Sequence, residues 1–514
     1  MPTGLEYNLI HRFNTGDSLR RTASRYPNRS IHHDGRDVSY RELDGLANRT
    51  ARMLEQAGVG RHDAVGIVAL NSPEFLAAFY GCARIGAALV PVNLLFTADE
   101  ADYVLEKTRV KALLVDPPLA AKVKRQWPNQ ITMDAEFRAR LQTLDASPVE
   151  RFVANEDPVT IIFTSGTTAK PKGVVLNHLN WFANLLALPD LGLHGGLKYL
   201  HALPMFHVAG LSIANTAVTT GAEGVILSAI RPDLIFDAIE RHKITAAAFP
   251  ATVWVGLLQA PGLASVDVSG LKRLIVFQYL PTPVFERWRE LTPKAEWINA
   301  WGQTETTALG STTPPERLGE LLKAPDPIGI EHLPGELRIV NDDMRDVEPG
   351  KPGEIVMRGP FITPGYFEDP DANEALFGGG WHHTGDIAYR DADGLYFVDR
   401  KKDMIKSGGE NVSSLEVEEA LAQHPAVGEV AVIGMPDPYW IEKVCAAVVL
   451  APDRTATPEE LAQFARTKIA AFKAPKEIFI VEELPKNPTG KVLKRELRAR
   501  LEHGEATGAS HGGV

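Results

Sequence analysis

Up to about residue 120, segments whose apolar positions have helical spacing alternate with short continuous apolar runs typical of buried strands. Ser39 and Glu42 form a capping box ahead of apolar positions with helical spacing, and Gly58 follows as a stop signal. Continuous apolar runs predict strands at Val65–Leu70, Ala88–Val92 and Lys111–Val115, with a helix at Pro73–Ile85. This alternation is typical of βαβ units around a mostly parallel sheet, and it continues to about residue 300.

The pattern changes after about residue 325. Short segments separated by Gly, Pro and Asp clusters predict a small antiparallel β-barrel, with strands at Gly335–Val340, Gly353–Arg358 and Leu395–Val398. From about residue 400, an α+β domain is predicted from helices at Leu415–Gln423 and Pro458–Ile469 and strands near Val430–Ile433 and Val444–Leu450. The predicted fold class is α/β: a large N-terminal domain with mostly parallel sheets flanked by helices plus a small β-barrel, and a smaller α+β C-terminal domain.

Composition narrows the function classes. The chain has 514 residues, 44% of them hydrophobic and 23% charged, which is ordinary for a globular protein of two or more domains. Its net charge of −11 disfavours a nucleic-acid binder. The only cysteines, Cys82 and Cys445, lie in apolar runs, so buried reduced thiols in a cytoplasmic protein are expected. The first residues do not resemble a signal peptide, and no apolar run is long enough to predict a membrane span.

A strand at Val159–Phe163 leads into the sequence TSGTTAKPKG, residues 164–173. Small residues allow backbone N–H groups to approach phosphate oxygens, hydroxyls add donors, and Lys170 and Lys172 offset negative charge. The loop therefore predicts an anion site. The P-loop pattern G-x-x-x-x-G-K-[ST] is absent from the chain, which disfavours a P-loop kinase or GTPase.

These ten residues resemble the phosphate loop of the adenylate-forming superfamily, which includes acyl-CoA synthetases, peptide-synthetase adenylation domains and beetle luciferases. Further motifs of that superfamily follow in its order over about residues 10–500: LPMFHVAG at 203–210, WGQTE at 301–305, WHHTGD at 381–386, DRKKD at 399–403 and PTGK at 488–491. The resemblance implies a large domain of residues 1–401 that binds adenylate and acyl groups, and a mobile small domain of residues 402–505. Residues 506–514 are expected to form a flexible tail.

The resemblance also implies a two-step reaction and the residues that perform it. A carboxylic acid would be activated by ATP and Mg²⁺ as acyl-AMP, with release of pyrophosphate, and a thiol would then displace AMP. The catalytic residues implied are Lys491, Glu305, Thr304 and His207, with Glu305 as the Mg²⁺ ligand. The ATP/AMP-binding residues implied are Thr164, Ser165, Gly166, Thr167, Thr168, Lys172, Trp301, Asp386 and Arg400.

The remaining implied residues concern the thiol and the acyl group. Lys402 matches the hinge about which the small domain rotates between the two steps. The implied coenzyme A site comprises Gly408, Gly409 and Glu410. The implied acyl pocket comprises His207, Trp254, Gln278, Tyr279, Leu280 and Gly302.

Three departures from the superfamily pattern fall in nucleotide or acyl elements. Ala169 replaces a usual glycine, Trp301 replaces a usual tyrosine, and FQYLP at 277–281 replaces a segment of small residues. Bulky side chains in a formed site cost about 1–3 kcal/mol unless the backbone moves. The departures therefore raise the hypothesis that adenylation is weak while transfer from a supplied acyl-adenylate to coenzyme A persists.

The ending FKAPKEIFIVEELPKNPTGKVLKREL looks most like that of acyl-CoA synthetases, and no carrier domain follows it in this sequence. The predicted function is an AMP-forming acyl-CoA ligase, an acid–thiol ligase. Four alternatives stay open: the ligase with impaired adenylation, an enzyme that loads a separate carrier protein, a non-catalytic nucleotide- or acid-binding protein, and a luciferase-type oxygenase. The acid, whether fatty, aromatic or polycyclic, and the oligomeric state, with a homodimer as one option, are left open.

Overall fold

The structure is a computed structural model that describes residues 4–164, 170–277, 280–313, 315, 327–332, 335–407, 410–486 and 492–502. Its described residues divide into two compact units. Unit 1 comprises those within 1–322, 328–337 and 357–382, and unit 2 comprises those within 323–327, 338–356 and 383–514. The domain boundaries expected after residues 401 and 505 stay predictions.

The helices of unit 1 are α1 (Gly4–His11), α2 (Thr15–Arg25), α3 (Tyr40–Gln56), α4 (Pro73–Ile85), α5 (Ala98–Lys107), α6 (Ala135–Thr143), α7 (His178–Leu185), α8 (Leu188–Leu191), α9 (Val208–Thr220), α10 (Pro232–His242), α11 (Ala251–Gln259), α12 (Thr282–Leu291) and α13 (Pro370–Leu376). Those of unit 2 are α14 (Ser414–Ala422), α15 (Pro458–Lys468) and α16 (Lys494–Glu502).

The strands up to residue 331 are β1 (Ser30–His33), β2 (Arg36–Ser39), β3 (Ala64–Val68), β4 (Ala88–Pro91), β5 (Ala112–Val115), β6 (Gln130–Thr132), β7 (Pro158–Thr164), β8 (Lys172–Asn177), β9 (Lys198–His201), β10 (Glu223–Ile226), β11 (Ala246–Pro250), β12 (Arg273–Phe277), β13 (Glu296–Trp301), β14 (Ser311–Thr313) and β15 (Pro327–Glu331). The later strands are β16 (Glu336–Val340), β17 (Gly353–Arg358), β18 (Gly365–Tyr366), β19 (His382–Arg390), β20 (Leu395–Arg400), β21 (Ile405–Ser407), β22 (Glu410–Val412), β23 (Val427–Asp437), β24 (Ile441–Leu450) and β25 (Glu477–Ile480).

Local chemistry explains where the predicted elements begin and end. The capping box of Ser39 and Glu42 starts α3, as predicted. Helix α4 coincides with the predicted segment; Ser72 caps its N-terminus, and Gly86 ends it at φ 72°. The apolar runs predicted as strands form β3, β4 and β5, which are buried along their whole length. Burial on both faces accounts for their continuous apolar sequence.

Unit 1 contains two sheets with parallel centres. In the first, of order β18-β8-β7-β4-β3-β5-β6, the strands from β7 to β6 are parallel, and β7 and β8 form an antiparallel hairpin. In the second, the strands run β14-β13-β12-β11-β9-β10-β1-β2, and those from β13 to β1 are parallel. Helices α2, α3, α4 and α9 pack in one large core against the first sheet.

Unit 2 contains a sheet of order β22-β21-β24-β23, with β25 paired to β24. Helices α14 and α15 cover one face through Val417, Leu421 and Leu461, and α16 covers the other through Leu497 and Leu501. The predicted α+β character of this region is confirmed.

The predicted small β-barrel is wrong for the described residues. Strands β16, β17, β19 and β20 lie in that linear order in an open array, and β16 is not paired with β20. A barrel closes only when its first and last strands pair. Short strand segments in a sequence do not indicate whether that pairing occurs. In the part of the chain that the structure describes, no helix is both long and apolar enough to cross a membrane.

Candidate active site

The ends of the predicted phosphate loop are described, and they form the end of the β7–β8 hairpin. Thr164, the last residue of β7, pairs with Lys172, the first residue of β8. The Lys172 ammonium lies 5.0 Å from the centroid of the Tyr366 ring. Tyr366 reaches this position because β18 pairs with β8. Several predicted site residues lie outside the described residues: Ser165, Gly166, Thr167, Thr168, Gln278, Tyr279, Gly408, Gly409 and Lys491.

Glu305 lies beside this hairpin, in a short 3-10 turn at Thr304–Thr306. The Tyr366 hydroxyl donates to Glu305 Oε1 at 2.8 Å, and the Thr363 N–H donates to the Glu305 carbonyl at 2.8 Å. Burial, and then the Glu305 charge, raise the pKa of Tyr366 well above its usual value, so the phenol keeps its proton and stays a donor. Three residues from distant segments thus meet here: Lys172, Tyr366 and Glu305. We call them the Glu305 cluster.

Sequence reasoning missed Tyr366. Nothing in the local sequence TPGYF distinguishes a ligand-orienting tyrosine from an ordinary strand residue. Its role depends on the pairing of β18 with β8, which brings together segments far apart in the chain.

The larger ring of Trp301 lies against Gly310, and the neighbouring Gly302 lies against the backbone of Ala308. A Cβ at Gly310 would lie 2.3 Å from the Trp301 ring, and one at Gly302 would lie 2.4 Å from the Ala308 carbonyl oxygen. Between them the backbone turns through positive φ at Thr307 and Ala308. The indole at Trp301 therefore occupies space that a side chain at position 310 would need.

His207 lies immediately before α9, with its ring 4.7 Å from that of Phe206. Its Nε2 is buried and has no hydrogen-bond partner among the described residues. Burial lowers the pKa of His207 to about 4, so the imidazole is neutral at pH 7. A neutral imidazole can accept a proton or a hydrogen bond, but it contributes no positive charge.

A narrow cavity opens at the carboxyl ends of β12 and β13, where Phe277 and Ala300 line it. In open α/β sheets ligands bind at this edge. One face of α9 forms a further wall, through Ala209, Ser212, Ile213 and Thr216. The side chains leave room for no more than about one water molecule, so a ligand must widen the cavity. The helical spacing of the α9 residues after His207 is a signal by which sequence reasoning could have found them.

None of the four described residues predicted for the acyl pocket lines this cavity: His207, Trp254, Leu280 and Gly302. Trp254 and Leu280 are 1% and 2% exposed in an apolar core with Trp288 and Trp297. The Trp254 indole donates to the Ile275 carbonyl at 3.1 Å, and the Trp288 indole donates to the Trp254 carbonyl at 3.0 Å. Neither Trp254 nor Leu280 lines the cavity. Their assignment to the acyl pocket stays a prediction, to which this core packing lends no support.

In unit 2 the structure brings the two predicted ribose contacts together. Asp386 of β19 pairs directly with Arg400 of β20, and Arg400 Nε lies 3.1 Å from Asp386 Oδ1. Asp386 is 1% exposed, whereas more than a third of the Arg400 side chain is exposed. The Asp386 N–H donates to Thr384 Oγ1 at 3.1 Å, which orients the strand at this point. The pair presents a carboxylate and a guanidinium with which sugar hydroxyls could form hydrogen bonds.

The hinge and coenzyme A residues are placed only in part. Lys402 is exposed and lies in the turn after Arg400, and Glu410 is exposed at the start of β22. The predicted lysine loop has described ends: the Leu493 N–H donates to the Pro485 carbonyl at 2.7 Å, next to a bridge between Lys486 and Val492.

A largely buried ionic network follows the lysine loop, and sequence reasoning missed it. Lys494 Nζ lies 2.8 Å from Glu418 Oε1 and also donates to Ser414 Oγ. Ser414 Oγ in turn donates to Asp399 Oδ2 at 2.6 Å, and the Val432 N–H donates to Glu418 Oε1 at 2.7 Å. We call Lys494, Glu418, Ser414 and Asp399 the Lys494 network. It joins the start of α16 to α14 and to the end of β20.

Buried neutral histidines predict an acid-sensitive fold. Burial lowers the pKa of His178 to about 3 and the pKa values of His201 and His207 to about 4. Below the unfolded-state pKa of about 6.5 the unfolded chain takes up protons that the folded chain does not. We expect the free energy of unfolding to be unaffected by these groups above pH 6.5 and to fall below it, by up to about 1.4 kcal/mol per pH unit for each histidine.

Urea unfolding between pH 7 and pH 5 measures this slope. A His201→Gln variant should lose up to a third of the slope while keeping the same stability trend above pH 7. Equal slopes for variant and wild type would contradict the prediction.

The arrangement in unit 1 suits chemistry on a polyphosphate. Glu305 has one oxygen engaged by Tyr366 and supplies a hard oxygen ligand of the kind that Mg²⁺ prefers, so the residues present fit this ion. Lys172 adds a fixed positive charge near the same tyrosine. Cations held in advance near developing negative charge lower the barrier to displacement at phosphorus.

Comparison with known proteins agrees with this chemistry. The sequence model of the AMP-binding enzyme family matches residues 19–367, and that of the AMP-binding enzyme C-terminal domain matches residues 416–491. The chain is similar to an indoleacetate–CoA ligase of Aromatoleum aromaticum, with 35% identity over 500 residues that cover 93% of this chain and 94% of that protein. It is 33% identical to the fatty acid–[acyl-carrier-protein] ligase ScoC of Streptomyces coeruleorubidus, over 91% of this chain and 92% of that protein.

Among solved structures, the anthranilate CoA ligase AuaEII in complex with anthranoyl-AMP superposes with a TM-score of 0.88 at 26% identity, over 97% of this chain and 99% of that one. The α/β fold class with a large N-terminal and a smaller C-terminal domain is thereby confirmed. The chain belongs to the AMP-binding enzyme family, the adenylate-forming superfamily that its motifs predicted.

Proposed function

We propose that this protein is an AMP-forming acyl-CoA ligase. In the first step a carboxylate oxygen of the acid attacks the α-phosphorus of ATP, the bond to the β-phosphate oxygen breaks, and pyrophosphate leaves. In the second step the coenzyme A sulfur attacks the acyl carbon, AMP departs with the electrons of the anhydride bond, and the thiol loses its proton. The products are an acyl-CoA, AMP and pyrophosphate.

The Glu305 cluster is the observation that carries this proposal. It brings a carboxylate and an ammonium to one partly buried tyrosine, at the end of the hairpin that bears the phosphate loop. Mg²⁺ bound at Glu305 would offset the charge of the phosphates. Thr164, Thr304 and Lys172 would contact phosphate oxygens, together with Ser165, Gly166, Thr167 and Thr168 of the loop. Trp301 would stack beside the adenine.

Other residues would serve the sugar, the acid and the thiol. Asp386 would accept hydrogen bonds from the ribose hydroxyls, and Arg400, which is paired with it, would hold that carboxylate in place. Lys491 would stabilise the charge shared by the attacking carboxylate and the α-phosphate. Lys402 would act as the hinge. Gly408, Gly409 and Glu410 would line the coenzyme A side.

Two of the alternatives that retain enzyme activity bear directly on the two half-reactions. Gly310 leaves space for the Trp301 ring, so this departure gives less support to the hypothesis of impaired adenylation. Similarity to a fatty acid–[acyl-carrier-protein] ligase keeps a carrier-protein thiol open as the acceptor.

We expect the enzyme in the cytoplasm, where ATP and coenzyme A are plentiful, and its assembly as a homodimer remains one option.

Separate assays of the two steps test the proposal. Pyrophosphate release is measured with ATP, Mg²⁺ and a panel of carboxylic acids whose aryl or short aliphatic groups carry no further charge. Thioester formation is measured with coenzyme A. We expect both with at least one acid. Thioester formation only from synthetic acyl-adenylates would favour impaired adenylation, transfer only to a carrier protein would favour the loading enzyme, and no turnover in any assay would contradict the proposed function.

Removal of the Glu305 charge is expected to slow the first step. A Glu305→Gln variant should release pyrophosphate about 10²-fold more slowly, because a neutral amide is a poor Mg²⁺ ligand. Tyr366→Phe should cost about 10-fold, since it removes only the hydrogen bond that orients Glu305, and excess Mg²⁺ should partly restore its rate. Initial rates against Mg²⁺ concentration measure both effects. A wild-type rate for Glu305→Gln at millimolar Mg²⁺ would exclude the assigned role.

A further inference from the structure

The cavity beside β12 and β13 has three polar lining side chains, Asn184, Ser212 and Thr216, and otherwise apolar walls. None of its lining residues, all of which the structure describes, is charged. From Ala209 to Thr216 the α9 face extends about 10 Å along the helix axis, starting next to His207. An acid whose carboxylate lies near His207 would thus direct the rest of its structure toward Ser212.

The hydrogen bonds of Asn184 can be assigned without ambiguity. The Thr307 carbonyl is an acceptor only, and Asn184 lies 2.6 Å from it, so the amide nitrogen must face Thr307 and donate. The Thr307 backbone cannot readily turn away, because its N–H donates to the Thr304 carbonyl at 3.1 Å and its hydroxyl donates to the Phe361 carbonyl at 2.6 Å. The amide oxygen Oδ1 of Asn184 therefore points the other way.

Ser212 meets that oxygen. Its hydroxyl donates to Asn184 Oδ1 at 2.9 Å, and both residues are at least 95% buried. A hydroxyl has one hydrogen and two lone pairs. Since the hydrogen is committed to Asn184, Ser212 can offer a ligand only its lone pairs. The chain of bonds from Thr307 through Asn184 makes Ser212 an acceptor toward the cavity.

An acceptor in an apolar, uncharged cavity selects the group opposite it. A ring N–H or a hydroxyl can donate to Ser212, whereas a second carboxylate, an ether or a carbonyl would meet lone pairs with no hydrogen between them. A buried acceptor left facing such a group costs more than a hydrogen bond gains. A second negative charge would also be desolvated with no cation among the lining residues.

We infer that the acid activated by this enzyme has an uncharged, mainly apolar body of modest length, with one hydrogen-bond donor, a ring N–H or a hydroxyl, at the end remote from its carboxylate. Ser212 is the specificity-determining residue that accepts a hydrogen bond from this donor. Asn184 is the positioning residue that makes Ser212 an acceptor. The inference rests on the proposed function, because it takes the cavity as the acyl site.

Pairs of similar acids, one with the donor and one without it, test the inference. Indole-3-acetic acid is compared with 1-benzothiophene-3-acetic acid, and 4-hydroxycinnamic acid with 4-methoxycinnamic acid, by kcat/KM for pyrophosphate release. We expect the donor-bearing acid to be preferred by about 10-fold or more in at least one pair. A dicarboxylic acid of similar length should be turned over far more slowly than either pair.

The variant Ser212→Ala should bring the preference within each pair close to unity while still turning over the acid that lacks the donor. Ile213→Val is the matched control, since it alters the same wall without a polar group and should keep the preference. Thermal unfolding checks that both variants fold. If Ser212→Ala is unstable, the wild-type comparison alone still decides.

Three results are distinguishable. Equal or reversed preference in every pair for the wild type overturns the inference and leaves the proposed function intact. A preference that survives Ser212→Ala shows that another group reads the donor and also overturns it. Absence of pyrophosphate release with every acid overturns the proposed function, and the inference with it.

Discussion

Replacement of Lys491 by alanine is expected to lower pyrophosphate release by about 10²–10³-fold while transfer from a supplied acyl-adenylate to coenzyme A falls by no more than a few-fold. The first step joins two anions, and the proposed role of Lys491 is to neutralise charge that develops as they approach. The second step involves attack of sulfur on carbon and needs no such cation at the α-phosphate. The prediction therefore concerns the ratio of two rates in one protein, which a general loss of folded enzyme would not change.

Lys486→Ala is the matched control for Lys491. Lys486 lies at the described end of the same loop, where its ammonium is 2.5 Å from Glu429 Oε2. That ion pair is partly exposed, and pairs of this kind contribute about 0–1 kcal/mol. We expect both half-reactions of the control to stay near wild type. Equal loss of both half-reactions in Lys491→Ala, or loss of neither, would contradict the assigned role.

The second large effect concerns the Lys494 network. Removing the cation with Lys494→Met would leave the Glu418 carboxylate largely buried without its ion pair. We expect the free energy of unfolding to fall by about 2–4 kcal/mol, near the lower part of the range for buried pairs, because roughly a sixth of each side chain is exposed. Burial already raises the pKa of Glu418, and loss of Lys494 would raise this pKa further.

Urea unfolding measures the loss, and two further variants identify its cause. The double variant Lys494→Met with Glu418→Leu should recover much of the stability, because no buried charge remains. Lys473→Met is the matched control: it breaks the more exposed pair with Glu416 on the same helix α14 and should cost less than about 1 kcal/mol. A double variant no more stable than Lys494→Met would contradict an electrostatic origin.

Local sequence was a reliable guide wherever the controlling interaction is local. The capping box at Ser39, the N-cap at Ser72 and the αL end at Gly86 each depend on residues within a few positions, and they set α3 and α4 as predicted. The parallel strands were predictable because burial on both faces demands a continuous apolar run. The barrel was not, since closure depends on which distant strands pair.

For the candidate site, the motifs predicted residue types and order but not all neighbours. Asp386 and Arg400 do meet, because they lie opposite each other on adjacent antiparallel strands. Trp254 and Leu280 pack in a core beside the sheet, and their absence from the cavity lining could not be inferred from their apolar character. An apolar side chain fits either a core or a cavity wall. Which of the two it reaches depends on the direction in which its strand or helix presents it.

The chain alone determined the types of element, the chemistry of its motifs and the superfamily, since each follows from residues close together or from their order. Tertiary structure alone decided which side chains from distant parts of the chain act on one another. Tyr366 reaches Glu305 across 61 positions, and Asn184 reaches the Thr307 carbonyl across 123. Hydrogen bonds act over about 3 Å, so partners this far apart in the chain are chosen by strand pairing and helix packing, to which no local pattern is sensitive.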